Sequence, residues 1–216
     1  RRYWHPIAGV GELEASFFGT KEVRVLGEDL VLFRDTSGRL GLIERWCAHR
    51  RVNLAYGVVE EDGLRCQYHG WKFDVEGDCL DIPNAPEGET FKQKVRTNAY
   101  PTVERAGIVW AYMGPTALMP ELPEFEWMRV PESHRYVNKF LVEGNYAQAL
   151  EGEVDSSHVS FLHSRVDSEY GAGSLAALGP RQPYMARDKT PRWVTNETEY
   201  GLMLAAQRNA EQHTFH

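Results

Sequence analysis

Two short stretches constrain this chain more than anything else in it: Cys47-Ala48-His49 and Cys66-Gln67-Tyr68-His69-Gly70-Trp71, with sixteen residues between His49 and Cys66. Each offers one thiol and one imidazole, so the chain carries two mixed knuckles, C-x-H and C-x-x-H. A structural zinc site can use the same four donor atoms. Its cysteines, however, usually pair as C-x2–4-C and its histidines as H-x3–5-H, and neither spacing occurs here.

The mixed set is what a [2Fe–2S] cluster of the Rieske type requires, with two Cys on one iron and two His on the other. Two loops that each give one Cys and one His can close on such a cluster from both sides. Neutral imidazoles in place of two thiolates also raise its potential. The residues therefore point to an iron–sulfur centre held by Cys47, His49, Cys66 and His69. A zinc-stabilised binding module is the alternative that the same atoms permit.

A chain of 216 residues has room for one large domain or two ordinary ones, and 42% hydrophobic with 25% charged residues is a globular composition. The net charge of −7 argues against a nucleic-acid or anionic-membrane partner. No apolar run approaches the roughly 20 residues of a spanning helix, and no signal-peptide pattern is present. Of three cysteines, the knuckles use two and leave Cys79, so no internal disulfide remains possible. That usage fits a reducing, cytoplasmic setting. The chain opens at Arg1 without Met and stops at His216 inside a strand pattern, which suggests a trimmed or incomplete chain.

Residues 1–115 read as an all-β unit, a small sandwich. Leu30–Arg34 and Leu40–Glu44 flank Asp35-Thr36-Ser37-Gly38, and further hairpin turns centre on Gly63, Gly77 and Gly107. The ligand knuckles follow strands, at loop tips, which predicts that His49 and His69 lie near the surface. Residues 116–135, with Pro120, Pro123 and Pro131, read as a connector. From 136 to 216 the expectation is a strand over Tyr136–Val142 and a helix from Asn145 to about Leu162. A Gly-, Ala- and Ser-rich loop (164–190) and strands over Arg192–Thr195 and Tyr200–Gln207, divided near Gly201, complete the reading.

The helix carries a second constellation, Asp155-x-x-His158-x4-His163. At about 100° per residue, i and i+5 lie about 140° apart, so His158 and His163 cannot share a metal from a regular helix. The helix is therefore expected to distort or end between them. Asp155 and His158 do share a face. Two imidazoles and a carboxylate form the facial triad of non-haem Fe(II) oxygenases. Asp155 is better placed to fix a histidine tautomer than to ligate. Asp167, Asp188, Glu197, Glu199 and Glu211 remain as possible third ligands, and nothing in their spacing selects one.

Taken together, Arg1–Pro6, the two knuckles, Ala111–Pro115, Gln148–Gly152, Asp155–His163 and Asp188–Arg192 resemble the α (oxygenase) subunit of Rieske non-haem iron aromatic-ring hydroxylating oxygenases, nearest the phthalate-dioxygenase-like class. The resemblance implies an α+β chain: an N-terminal all-β Rieske [2Fe–2S] domain, then a helix-grip catalytic domain (antiparallel sheet plus helices) that is incomplete here. It implies a homotrimer in which electrons cross between subunits, Asp155 bridging His69 of one chain and His158 of the next. It also implies mononuclear Fe(II) on His158, His163 and a carboxylate beyond His216. The implied partners are a flavin-containing, NAD(P)H-dependent reductase, O2 and a small aromatic substrate, which Arg181, Arg187 or Arg192 could hold if it is a carboxylate. Gly152 stands where some members of the family have Asn. The alternative within the same chemistry is a Rieske electron-transfer protein without oxygenase activity, for which the first 115 residues would suffice.

Overall fold

Leu30-Val31-Leu32-Phe33 lacks the alternation of a strand with one wet face, and its surroundings explain why. The structure is a computed structural model that describes residues 1–162, 187–199 and 201–210. Its contacts divide into two units, Arg1–Phe140 and Leu141–His216. The first opens with β1 (Trp4–Gly9) and a short helix α1 (Val10–Glu14). A meander follows: β2 (Thr20–Val25), β3 (Glu28–Arg34) and β4 (Leu40–Glu44). Four short strands come next, β5 (Val58–Glu60), β6 (Gly63–Arg65), β7 (Lys72–Phe73) and β8 (Cys79–Asp81). The hairpin β9 (Thr102–Arg105) and β10 (Ile108–Tyr112) completes the strands of this unit.

Among the described residues these strands form three sheets, ordered β1-β10-β9, β2-β3-β4 and β5-β6-β7-β8, all antiparallel between neighbours. The meander is the middle layer. Leu30, Leu32 and Leu42 pack with Ile7, Val109 and Ala111. Val31, Phe33 and Ile43, on the other face, pack with Leu54, Leu64, Phe73 and both knuckle cysteines. A strand buried on both faces reads as a continuous apolar run. The all-β unit is thus built on a sheet covered on both sides, with the ligand loops on one of the covering layers.

Residues beyond β10 pack back on this unit. Trp4 donates its indole N–H to the Pro120 carbonyl (2.9 Å), and Phe125 and Trp127 stack beside Trp110. The strand expected over Tyr136–Val142 is absent. The segment is irregular, with no partner strand among the described residues, and Lys139 ties it to the Ile7 carbonyl (3.2 Å) and to Glu12 (3.1 Å). Residue type alone could not reveal that no neighbouring edge is offered to it.

The second unit holds α2 (Tyr146–Val154) and the hairpin β11 (Arg192–Thr198) and β12 (Gly201–Gln207). Asn145 caps α2 by accepting the Ala147 N–H at 2.9 Å. The helix stops well short of Leu162, followed by a separate 3₁₀ turn over His158–Ser160. The reason is local: Asp155 takes the N–H groups that would otherwise continue the helical ladder. The chain is α+β, and no helix of the described residues is long and apolar enough to cross a membrane.

Candidate functional site

Both knuckles are built as hairpin tips of the same design. In the first, the Cys47 N–H donates to the Val52 carbonyl and the Arg51 N–H to the Cys47 carbonyl, each at 2.9 Å. In the second, the Cys66 N–H donates to the Trp71 carbonyl (2.8 Å) and the Gly70 N–H to the Cys66 carbonyl (3.0 Å). The fifth residue of each tip is left-handed, Arg51 at φ 58° and Gly70 at φ 75°. Asn53 anchors the exit of the first loop by accepting the Ala55 N–H at 2.9 Å. Arg65 braces the second by donating to Glu60 (2.7 Å) and Asp81 (2.8 Å).

This geometry brings Cys47, His49, Cys66 and His69 together as two pairs. The cysteines are buried, and the histidines are half-buried at the rim, as loop tips predict. The imidazoles lie 4.6 Å apart between ring centroids. His49 stacks on Trp71 at 4.5 Å with planes 3° apart, and Tyr68 lies 3.9 Å from His69. The neighbouring Cys66 thiol, with burial, pushes the Cys47 thiol up, and Cys47 together with the Tyr68 and His69 N–H groups pushes Cys66 down. Burial, then the neighbouring His69 and Arg50, hold the His49 imidazole below its usual value and so in the neutral, ligating form.

A narrow pocket lined by Cys47, His49, Cys66 and His69 lies between the loops. His49 Nδ1 is buried beside it without a hydrogen-bond partner in the structure. A buried ring nitrogen left unpaired is unfavourable unless something takes its lone pair. The donor set therefore fits a two-iron cluster, with a sulfur pair on one side and a nitrogen pair on the other. Cys79 is a third buried free thiol, in the same core cluster as the two knuckle cysteines, with its sulfur 3.6 Å from the Asp81 carbonyl.

The second constellation forms where α2 ends. The Asp155 N–H still donates to the Glu151 carbonyl at 3.0 Å. One carboxylate oxygen accepts the Ser157 N–H (2.7 Å). The other accepts the His158 N–H (3.2 Å) and lies 3.2 Å from His158 Nδ1. The Ser157 N–H, and after it the His158 N–H and ring, outweigh burial and hold Asp155 below the usual carboxylate range. A charged Asp155 selects the tautomer with hydrogen on Nδ1, which makes Nε2 the lone-pair nitrogen of His158. Asp155 and His158 line a cavity of about 540 Å³, with Gly152, Val154, Trp193 and Leu204.

His163 lies outside the described residues, as do Asp167, Arg181 and Glu211. Among the described residues, no three His, Cys, Asp or Glu side chains are grouped to hold a single metal ion. Of the remaining candidate ligands, Asp188 has both oxygens engaged, one by the Thr190 N–H (3.1 Å) and one by the Asn209 N–H (2.8 Å) and side-chain amide (2.9 Å). Arg187 and Arg192 are exposed. Sequence reasoning did not find Ser156 and Arg208, which meet beside Asp155. They stand 52 positions apart in the sequence, and neither belongs to a spaced motif.

Residues 3–101 match the Rieske [2Fe-2S] domain family, and residues 111–214 match the family described as LigXa C-terminal domain like. The first unit thus carries a Rieske [2Fe–2S] domain, and the chain is similar to Rieske oxygenase subunits of the phthalate-dioxygenase-like class. It is 41% identical to the phthalate 4,5-dioxygenase oxygenase subunit of Pseudomonas putida, an alignment covering 98% of this chain and 48% of that protein. It is 43% identical to the 3-chlorobenzoate-3,4-dioxygenase oxygenase subunit of Comamonas testosteroni, covering 100% of this chain and 49% of the other. A crystal structure of dicamba monooxygenase with non-heme iron and dicamba superposes with a TM-score of 0.52 at 27% identity, covering 60% of this chain and 39% of that one. The chain spans about half the length of the curated relatives it matches.

Proposed function

We propose that this chain is the cluster-bearing part and the entrance to the iron site of a Rieske-type oxygenase acting on an aromatic, carboxylated substrate. In this reading residues 1–115 are the Rieske domain, 116–135 the connector and 136–216 the beginning of the catalytic domain. Cys47 and Cys66 hold one iron of the [2Fe–2S] cluster, and His49 and His69 the other. His158 and His163, with a carboxylate, hold a mononuclear Fe(II). When bound, these groups supply one-electron transfer and the activation of O2 for hydroxylation or O-demethylation. The chain's own residues ligate, orient and shield. Asp155 holds the His158 ring in one tautomer and orientation, and in a homotrimer it also faces His69 of the adjacent subunit. The reductase is flavin-containing and NAD(P)H-dependent, and the assembly is cytoplasmic.

The observation that carries this reading is the pair of matched hairpin tips, each delivering one buried thiol and one rim imidazole, followed in the same chain by the Asp155–His158 contact. The relatives' names support a substrate such as phthalate or 3-chlorobenzoate. The test is His158→Ala in the full-length protein, assayed with its reductase on a panel of aromatic acids. The cluster's visible spectrum should be retained while product formation falls to background. Turnover at the wild-type rate would favour a Rieske electron-transfer protein, and a colourless, zinc-containing wild type would favour the binding module.

A further inference from the structure

Among the described residues of the second unit, Arg208 is the one charged side chain that is buried, at 3% exposure. It follows β12 directly. Its Nη1 donates to Ser156 Oγ (2.9 Å), its Nη2 to the Ser156 carbonyl (2.7 Å) and its Nε to the Asp188 carbonyl (3.1 Å). The next residue, Asn209, donates its N–H and its side-chain amide to the Asp188 carboxylate. Enclosing a guanidinium is unfavourable unless its donors are met. Here they are met by one residue of the turn after α2 and by the segment that leads into β11.

The hairpin has no need of these bonds. β11 and β12 already pair through seven registered positions, from Arg192–Gln207 to Thr198–Gly201. The Arg208 bonds instead leave the hairpin and reach the turn. That turn lies past the last helical residue, and Asp155 secures its other side by accepting the Ser157 and His158 N–H groups. A guanidinium is a rigid planar fork. Two bonds from it to a single residue fix both the position and the rotation of that residue, which a single flexible bond cannot do. Ser156 is the residue between Asp155 and Ser157, so fixing it fixes the origin of the Asp155 side chain and the direction in which His158 leaves the backbone.

We infer that Arg208 is a positioning residue for the proposed iron site: it clamps the Asp155–His158 turn to the end of the β11–β12 hairpin, with Asp188 as its rear anchor. This deepens the function proposed above and rests on it for the metal. It also gives a role to Asp188, the first residue of a motif that entered the resemblance without one. Residues that orient metal ligands without touching the metal typically change affinity on the order of 10- to 100-fold when replaced.

Two readouts on the full-length protein separate the clamp from the metal reading. The first is amide hydrogen exchange in Arg208→Gln, Arg208→Lys and Ser156→Ala. In Arg208→Gln the Ser157 and His158 amides should exchange at least about tenfold faster, with β11–β12 amides such as Thr195 and Leu204 unchanged. Arg208→Lys should recover only part of the protection, because an ammonium lacks the fork, and Ser156→Ala should lie between the two. The second is anaerobic Fe(II) titration with the cluster spectrum as internal control, where Arg208→Gln should weaken iron binding by on the order of 10- to 100-fold. Unchanged exchange at Ser157 and His158, or equal loosening throughout the hairpin, would overturn the clamp whatever the iron does. Wild-type protein that binds no Fe(II) while Arg208→Gln still frees the turn would leave the clamp standing and overturn the metal reading. Should Arg208→Gln fail to fold, Ser156→Ala decides the matter, since it removes one acceptor and leaves the cation in place: faster exchange confined to Ser157 and His158 upholds the clamp, and unchanged exchange there overturns it.

Discussion

Replacing Gly70 by Ala should displace the second ligand loop, and the first loop contains the internal control. Gly70 and Arg51 occupy the same place in the two hairpin tips, each donating its N–H to the carbonyl of the loop's cysteine from a left-handed backbone. For a residue with a side chain that backbone costs about 1–2 kcal/mol. At Gly70 an added Cβ would also fall 2.6 Å from Pro83 Cγ and 3.4 Å from its Cδ. The proline ring cannot swing aside, and overpacking of this kind costs about 1–3 kcal/mol. The smaller unfolded-state entropy of Ala returns about 0.4–1 kcal/mol. The net loss should be about 2–4 kcal/mol, or about 5–15 °C in Tm for a chain of this length.

The assay is thermal loss of the cluster's visible absorbance followed beside far-UV circular dichroism. Arg51→Gly should differ little. Relief of the left-handed backbone, about 1–2 kcal/mol, is offset by glycine's entropy, about 0.5–1 kcal/mol. The exposed Arg51–Glu44 ion pair adds about 0–1 kcal/mol to that offset. If Gly70→Ala melted within about 2 °C of wild type, the argument that the two loops differ through Pro83 would be wrong.

The middle sheet offers a comparison within one strand. Phe33 faces the ligand loops and Leu32 the opposite core. Phe33→Ala should cost about 3–5 kcal/mol and Leu32→Ala about 2–5 kcal/mol, but only Phe33→Ala should hasten cluster loss to a chelator at a temperature where both remain folded. Burial pushes the Glu12 carboxyl up, but bonds from Lys21, the Gly9 N–H and Lys139 outweigh it and hold it at about 2. A folded value below the unfolded one means that its stabilisation is present above the unfolded value, about 4.3, and fades as pH falls toward 2. Stability measured across that window should therefore fall less steeply in Glu12→Gln than in wild type. Asp155→Asn should retain both metals, keep an acceptor for one N–H and lose the charge that selects the His158 tautomer. Single-turnover electron transfer should slow by on the order of 10- to 100-fold, and unchanged kinetics would remove Asp155 from the path.

Much of the first unit was legible because its chemistry is local. Four donors at fixed spacing imply paired loops, and turns such as Asp35-Thr36-Ser37-Gly38 declare their hairpins. That the hairpin around that turn is the middle layer was not legible. Leu30-Val31-Leu32-Phe33 shows that a strand is buried on both faces but not what buries it, and β1 and β2 were not separated from their surroundings at all. In the second unit Asp155 was recognised as a partner of His158. Its second effect, ending the helix by capturing the Ser157 and His158 N–H groups, is a side-chain event that periodicity does not register. Tyr136–Val142 has the β-branched and aromatic residues of a strand, yet a strand also needs an edge to pair with. Arg208 was invisible for a similar reason, since its acceptor Ser156 is brought to it only by folding.

The central claim is that the two hairpin tips share one cluster, thiols toward one iron and imidazoles toward the other. Its most direct test is pulsed EPR of the dithionite-reduced protein labelled with ¹⁵N-histidine, in wild type and in His69→Cys. Two strongly coupled histidine nitrogens in wild type, reduced to one or lost with the signal in His69→Cys, are the predicted result. A reduced-state signal without histidine nitrogen coupling, or stoichiometric zinc in place of iron, would contradict it.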